Sequence, residues 1–180
     1  MKIKIFGNKK ITIRTIKRAD RKNARKFLLF INSLVAEEAK ILMNTKATLK
    51  DEFAYLDKVI KGAKDKKSIH VIAEYDGKIV GNTSIELNPF RRNHSAKFAI
   101  AISDGYRRLG LGTLLTSEVI KLAKKELKPG PKIIQLEVYS NNLPAINLYK
   151  KMGFKIVAKI PDQIQWKGKL IDEYIMLKYL

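Results

Sequence analysis

The sequence predicts a single α/β domain over residues 1–180, in which helices pack against a central sheet. Three observations predict it. The length suits one domain with a proper core. Short segments alternate apolar and polar residues as strands do, whereas four longer segments space their apolar residues as helices do. Turn residues separate these segments, and no apolar run approaches the roughly 20 residues that span a membrane.

The chain is predicted to open with a β-hairpin, because residues 2–6 and 11–16 alternate in this way around Gly7 and Asn8.

Two helices are predicted to follow the hairpin. Asp20 is a residue type that caps a helix, here one running to about residue 40 with apolar positions at helical spacing. Thr48, three residues before Asp51, has the spacing of a cap for a second helix, and Gly62 is expected to end it.

The middle of the chain is predicted to form three strands and a helix. Asp76-Gly77 is a strong hairpin signal between strands 69–74 and 79–87. Strand 95–102 comes next, and a helix is expected over 110–127.

The last third is predicted to add a strand at 133–139 and a helix at 143–152. Strands 154–160 and 171–179 then form a closing pair, joined by a ten-residue loop that contains Trp166.

Composition narrows the possible functions. The 37 basic and 17 acidic residues give a net charge of +20, which attracts anions such as coenzyme A or RNA. The basic residues are spread along the chain and form no nucleic-acid motif.

There are no cysteines, which excludes disulfides and thiolate nucleophiles. With no signal peptide expected, the predicted location is cytoplasmic. His70 and His94 lack partners at metal-ligand spacing, so no metal site is predicted.

The most informative segment runs from Arg107 to Gly112, between a strand and a helix. Glycines allow close backbone approach, a helix N-terminus offers free N–H donors, and arginines suit phosphate, so the segment is predicted to cradle a pyrophosphate. Two common nucleotide motifs do not fit. Gly112 is followed by Thr113 rather than Lys-Ser, and Leu115 stands where a dinucleotide fingerprint needs its third glycine.

Arg-x-x-Gly-x-Gly after a strand resembles the GNAT superfamily of acetyl-CoA-dependent N-acetyltransferases. A second motif of that family, Asn-x-x-Ala-x-x-Leu-Tyr followed by Gly-Phe, is matched at Asn142, Ala145, Leu148, Tyr149, Gly153 and Phe154. The resemblance covers roughly residues 69–180. It implies a GNAT fold: a mixed, mostly antiparallel sheet of about seven strands, splayed between strands four and five and flanked by about four helices.

The resemblance also implies direct acetyl transfer from acetyl-CoA, with no metal. The residues expected to hold acetyl-CoA are Ile100, Ala101, Ile102, Arg107, Arg108, Leu109, Gly110, Leu111, Gly112, Thr113, Asn142 and Ala145. A backbone N–H of the strand would polarise the thioester carbonyl. Tyr149 stands where the family places its general acid, and a phenol of pKa near 10 can protonate a thiolate whose thiol has a pKa of about 8.5.

Two glutamates are candidates for the general base. Glu137 stands at the offset at which ribosomal-protein alanine acetyltransferases carry their base, and Glu86 is the alternative. The phosphinothricin and amino-acid branch has a glutamate after His-x-Ala, whereas Lys97 follows His94-Ser95-Ala96 here. This departure weakens the hypothesis that the chain uses the small-amino-acid mechanism of that branch.

The leading acceptor is the N-terminal amine of a protein, with ribosomal proteins as one candidate, because of Glu137 and the C-terminal tail. The tail, residues 168–176, resembles those of the ribosomal-protein and the amino-acid acetyltransferase branches. In this family the loop containing Trp166 often walls the acceptor pocket. A small amine such as an amino acid is the alternative. Polyamines fit so basic a chain less well, unless acidic residues form a local patch from Glu37, Glu38, Asp51, Glu52 and Asp57.

Two further alternatives stay open. One, of another class, is a basic RNA- or ribosome-associated module on a silent scaffold, against which the intact Tyr149 and phosphate loop argue. The other is a donor with a longer acyl chain.

Overall fold

The computed structural model describes all 180 residues. Eight strands form one sheet in the order β1-β2-β3-β4-β5-β6-β8-β7, in which only β5 and β6 pair in parallel. The predicted order of strands and helices is confirmed, with eight strands rather than about seven. The elements are β1 Lys2–Phe6, β2 Lys9–Thr15, α1 Ala24–Ala36, α2 Leu49–Lys64, β3 Ser68–Tyr75, β4 Lys78–Leu87, β5 Ser95–Ile102, α3 Leu111–Glu126, β6 Ile133–Tyr139, α4 Leu143–Lys151, β7 Lys155–Trp166 and β8 Lys169–Tyr179.

Helices cover both faces of the sheet. On the α3/α4 face, apolar residues of α3 and α4 pack with those of β3 to β6 in the larger core cluster. On the α1/α2 face, a smaller cluster unites α1 and α2 with Ile72 and Ile79. None of the helices combines the length and apolar composition needed to cross a membrane.

The sheet is open between β5 and β6. Their pairing covers three residue pairs and stops at Lys97 and Gln135, although the strands continue to Ile102 and Tyr139. We call this gap the β5–β6 opening. Because Ser103 N–H donates to Val80 O in the β4–β5 register, odd-numbered residues of β5 direct their backbone groups to β4. Even-numbered residues such as Ile100 therefore direct theirs to the opening.

The first helix is shorter than predicted. Asp20 does not cap it but lies in a preceding 3-10 turn, Arg18–Asn23. Its carboxylate accepts a hydrogen bond from Lys17 N–H at 2.7 Å and pairs with Arg14 at 2.8 Å. Asp20 is buried, so its charge is used in this ion pair, and α1 begins only at Ala24.

The second helix starts as predicted and ends later. Thr48 Oγ1 accepts a hydrogen bond from Asp51 N–H at 3.3 Å, which confirms the cap. Gly62, expected to end the helix, lies inside it, because α2 continues to Lys64. A Cβ at Gly62 would lie 2.3 Å from Ser68 Oγ, so the Ser68 side chain at the start of β3 would have to shift to accommodate it.

The predicted ten-residue loop is wrong: most of it is strand. β7 runs to Trp166 and β8 starts at Lys169, joined by a turn in which Lys167 and Gly168 both have positive φ, 51° and 72°. A register shift between Ile160 and Ile164 breaks the alternation that would reveal the strand. Proline is tolerated there because β7 is an edge strand.

Candidate active site

The predicted phosphate loop presents free backbone donors. Gly110 is the N-cap of α3, with φ of 85°, and Arg108 also has positive φ, 61°. The first amide bonded within this turn is Leu114 N–H, which donates to Gly110 O at 3.2 Å. The N–H groups of residues 108–113 donate to no protein atom. A row of free donors at a helix N-terminus is suited to a phosphate group.

The two arginines of the loop have different environments. Arg107 Nε donates to Ile102 O at 2.8 Å, and its guanidinium pairs with Glu37 at the end of α1. Arg108 is exposed. The structure therefore leaves Arg108 free for phosphate, whereas Arg107 links the loop to the α1/α2 face.

Gly112, which belongs to the first family motif, lies close to Leu148, which belongs to the second. A Cβ at this position would lie 3.0 Å from Leu148 of α4 and 3.5 Å from Ile102 of β5. The first turn of α3 therefore sits directly against α4 and the end of β5. Leu111 is fully buried here, while Leu109 is exposed.

The strand residues predicted to line the pantetheine arm differ in the direction of their backbone N–H and C=O groups. Ile100 and Ile102 direct their backbone groups to the β5–β6 opening, whereas Ala101 directs its own to β4. The Ile102 carbonyl oxygen already accepts a hydrogen bond from Arg107 Nε. Ile100 N–H, Ile100 O and Ile102 N–H are thus the groups of this stretch that face the opening.

Tyr149 lies on the α3/α4 face, 7% exposed, with its ring against Phe98 and Phe154 at centroid distances of 5.9 Å and 6.0 Å. Its hydroxyl donates to no protein acceptor. Burial raises the pKa of Tyr149 to about 12. The phenol therefore keeps its proton throughout the neutral range, as a general acid must.

Glu137 lies on the opposite side of the sheet. Its neighbours Leu136 and Val138 are buried in the α3/α4 core, so the alternation of β6 places Glu137 on the α1/α2 face, where it is exposed. It accepts a long hydrogen bond of 3.4 Å from Gln135 Nε2. It follows Gln135, where the pairing of β5 and β6 ends, and so borders the opening.

Glu86, the alternative base, is already engaged. It pairs with Lys58 at 3.0 Å, and His70 Nε2 lies 3.5 Å from it. His70 Nδ1 lies 3.3 Å from Tyr55 Oη, which accepts a hydrogen bond of 2.9 Å from Asn82 Nδ2. Burial, with Lys58 adding to it and Glu86 opposing it, lowers the pKa of His70 to about 4. This buried polar chain was not predicted, and it joins Glu86 to Lys58 of α2 and His70 of β3.

Residues 37–41, which we call the covering segment, span the C-terminal ends of β5 and β6. Each contact ties the segment to a remote part of the chain. The contacts are Glu37 with Arg107, Glu38 O with Trp166 Nε1 at 3.1 Å, Lys40 Nζ with Asn141 O at 2.7 Å, and Ile41 O with Tyr139 Oη at 2.8 Å. Trp166 thus meets this segment from the tip of the β7–β8 hairpin.

The acidic patch considered for a polyamine does not form. Glu37, Glu38 and Asp57 pair with Arg107, Lys167 and Arg21. Asp51 accepts hydrogen bonds from Thr48, the cap of α2, and Glu52 is buried.

Asn142 and Ala145 stand at the start of α4. Asn142 occupies the N-cap position, but its side chain makes no capping hydrogen bond. Ala145 is half-buried against the larger core cluster. The Asn142 amide is therefore available to a ligand near the β6–α4 turn.

A model of the acetyltransferase (GNAT) family matches residues 35–154, which includes both motifs and the β5–β6 opening. The chain belongs to this family. Membership makes it an N-acetyltransferase, with acetyl-CoA as the implied donor.

Known relatives differ in acceptor. An N-alpha-acetyltransferase of Sulfurisphaera tokodaii is 30% identical over 154 residues, which cover 81% of this chain and 89% of that protein. An L-amino acid N-acetyltransferase of Escherichia coli is 31% identical over 109 residues, covering 60% of this chain and 66% of that protein.

Solved structures share the fold. A GNAT acetyltransferase of Streptococcus pneumoniae superposes with a TM-score of 0.82 at 28% identity and covers 94% of this chain and 99% of its own. An acetyltransferase of Salmonella typhimurium that contains acetyl-CoA has a TM-score of 0.79 at 20% identity, with 94% of each chain covered.

Proposed function

We propose that this protein transfers an acetyl group from acetyl-CoA to the N-terminal amine of a protein, by direct attack in a ternary complex. The observation that carries the proposal is the position of Tyr149 and Glu137 on opposite faces of the sheet, beside one opening. Similarity to an N-alpha-acetyltransferase over 81% of the chain supports this acceptor.

The groups around the opening fit the donor. The free amides of residues 108–113 suit the pyrophosphate, and Arg108 adds a free positive charge. The backbone groups of Ile100 and Ile102 that face the opening suit the amides of the pantetheine arm. The donor then reaches the opening from the side of Tyr149, and the amine reaches it from the side of Glu137.

The chemistry assigns a role to each residue. An N-terminal amine of pKa about 8 arrives largely as ammonium and loses one proton to Glu137. The nitrogen attacks the thioester carbonyl carbon, whose oxygen accepts a hydrogen bond from a backbone N–H of β5. As the C–S bond breaks, Tyr149 gives its proton to the sulfur and recovers one from the nitrogen. The products are the amide, the free thiol and one proton on Glu137.

A small amine is the second candidate acceptor, supported by the similarity to an L-amino acid N-acetyltransferase. Its ammonium group would reach the same carboxylate. Tyr149 would be the general acid for protein N-termini and for small amines alike. The two proposals therefore differ only in which acceptor the enzyme prefers.

The test is thiol release from acetyl-CoA with a panel of acceptors. The panel contains an alanine-initiated heptapeptide, the same peptide with a blocked N-terminus and an internal lysine, free amino acids and spermidine. We expect turnover on the free N-terminus and little on the blocked peptide. Preference for free amino acids would move the assignment to the second candidate. Absence of turnover on every amine, together with salt-sensitive RNA binding, would support a silent RNA-binding scaffold.

A further inference from the structure

We infer that Glu173 is the second carboxylate of the acceptor site and shares the acceptor's ammonium group with Glu137. The inference rests on the proposed function, because it assumes that the amine approaches from the α1/α2 face. Glu173 belongs to neither of the two family motifs, and no local sequence pattern indicates a role for it.

The β6–β8 register brings the two carboxylates together. Glu137 lies opposite Ile175, and Tyr139 lies opposite Glu173, so Glu137 and Glu173 are diagonal neighbours on one face. Diagonal neighbours across an antiparallel pair have Cβ atoms about 7 Å apart, within reach of two glutamate side chains that share one ligand. Both lie on the α1/α2 face, Glu137 on the strand that borders the opening and Glu173 on the next strand of the sheet.

Glu173 is buried and has no partner. It is 7% exposed, yet it forms neither an ion pair nor a hydrogen bond with the protein. In a chain of net charge +20, carboxylates such as Glu37, Glu38 and Asp172 have cationic partners. The Glu173 oxygens are not sealed from solvent, so a cationic ligand can reach them and supply the positive charge that the protein does not.

The groups around Glu173 do not neutralise it. Across β6 it faces Tyr139 and Glu137, and across β7 it faces the apolar Ile160. Lys97 of β5 lies beside Gln135, further along the face. Lys40 of the covering segment gives its ammonium to Asn141 O at 2.7 Å. Burial, and then the charge of Glu137, raise the pKa of Glu173 above its ordinary value.

The pair has a simple chemical role. Two carboxylates hold the entering ammonium by charge-assisted hydrogen bonds, and one of them takes its proton. The proton moves from nitrogen to a carboxylate oxygen, and the neutral amine then attacks the thioester. Glu173 thus adds affinity for a cationic amine without changing the balance of the reaction.

A binding test needs no turnover. With coenzyme A bound and ionic strength constant, n-butylammonium is titrated into protein with ¹³C-labelled side-chain carboxyls. We expect the Glu173 and Glu137 signals to move together with one binding curve, while Asp172, the neighbour of Glu173 that pairs with Lys159, stays unmoved. Movement of all three signals alike, or no movement of Glu173, would overturn the inference.

A kinetic test uses Glu173→Gln, with Asp172→Asn as the matched control and Glu173→Asp as the conservative variant. With the alanine-initiated heptapeptide we expect kcat/KM of Glu173→Gln to fall about tenfold at pH 7, the loss of one charge-assisted hydrogen bond. The deficit should shrink near pH 9.5, where the amine is already neutral, and Glu173→Asp should recover part of the activity. A deficit equal at all pH values would indicate a structural role and overturn the inference. If Tyr149→Phe is impaired while Glu173→Gln is not, the inference fails and the proposed function stands.

Discussion

Tyr149 and Glu137 lie on opposite faces of one sheet, and the sheet is open between the strands beside them. Tyr149 projects from α4 onto Phe98 of β5, whereas Glu137 projects from β6 on the side of α1 and α2. The opening begins where Lys97 and Gln135 end the β5–β6 pairing. A thioester in the opening can therefore receive an amine from one side and release its thiol to the other.

Replacing Tyr149 with phenylalanine should lower kcat about 100-fold or more, because loss of a general acid costs roughly 10²–10⁴ in rate. Folding should be unaffected, since the ring contacts with Phe98 and Phe154 remain and the hydroxyl bonds to no protein atom. Thiol release and thermal unfolding measure the two effects. Tyr179→Phe, at an exposed tyrosine, is the control. An unchanged kcat would remove Tyr149 from the chemistry.

The pH profile should have no alkaline limb in the working range. The acid is active while protonated, and burial raises the pKa of Tyr149 to about 12. We therefore expect kcat, measured with saturating heptapeptide, to show no alkaline fall up to at least about pH 10. A fall with a midpoint near pH 8 or 9 would mean that another group supplies the proton.

Freeing Arg107 should strengthen donor binding. In the structure Glu37 holds its guanidinium, and a phosphate would compete for the same charge. Since a partly exposed pair contributes at most about 1 kcal/mol, Glu37→Gln should lower the Kd for acetyl-CoA by about two- to fivefold. Calorimetry at low and moderate salt measures it. Glu38→Gln, which releases Lys167 from the same segment, should leave the Kd unchanged. Equal effects in both variants would indicate a general charge effect.

Adding a methyl group at Gly112 should weaken acetyl-CoA binding and reduce stability. The new Cβ would lie 3.0 Å from Leu148 Cδ2, so the Leu148 side chain must give way by a few tenths of an ångström. Overpacking of this kind costs about 1–3 kcal/mol. Gly130→Ala is the control, because nothing lies within 4 Å of its Cβ position. Acetyl-CoA binding equal to wild type would show that the amides of this turn do not position the donor.

Glu52→Gln should stabilise the protein at pH 8 and have little effect at pH 4. Glu52 is 6% exposed, and burial together with Asp51 raises its pKa to about 7. The folded state therefore binds a proton more tightly than the unfolded state, so stability decreases as pH rises from about 4.5 to 7. The gain at pH 8 should be up to about 3 kcal/mol, measured by urea unfolding. A gain independent of pH would contradict this assignment.

Local signals predicted much of the fold. Strand 95–102 and strand 133–139 were predicted with the bounds they have, because alternation and flanking turn residues lie within each segment. The hairpin at Asp76 and Gly77 is confirmed by their positive φ values of 48° and 70°. The start of α3 was predicted from the glycines of the phosphate loop.

Contacts between remote segments could not be predicted in this way. The pairing of Arg107 with Glu37 and the chain from Asn82 to Glu86 depend on how α1 and α2 dock on the sheet. Glu173 is recognisable only from the β6–β8 register. The alternation of His70, Asn82 and Glu86 within their strands did place polar side chains on one face, a signal that could have indicated the buried chain.

The most direct measurement is a crystal structure with coenzyme A and the alanine-initiated peptide bound together. Transfer through the opening requires the thiol sulfur in the β5–β6 opening, within hydrogen-bonding reach of Tyr149 Oη, which means about 3 to 3.5 Å. It also requires the peptide nitrogen on the α1/α2 face, beside Glu137. A sulfur remote from Tyr149, or both ligands on one face of the sheet, would contradict transfer through the opening.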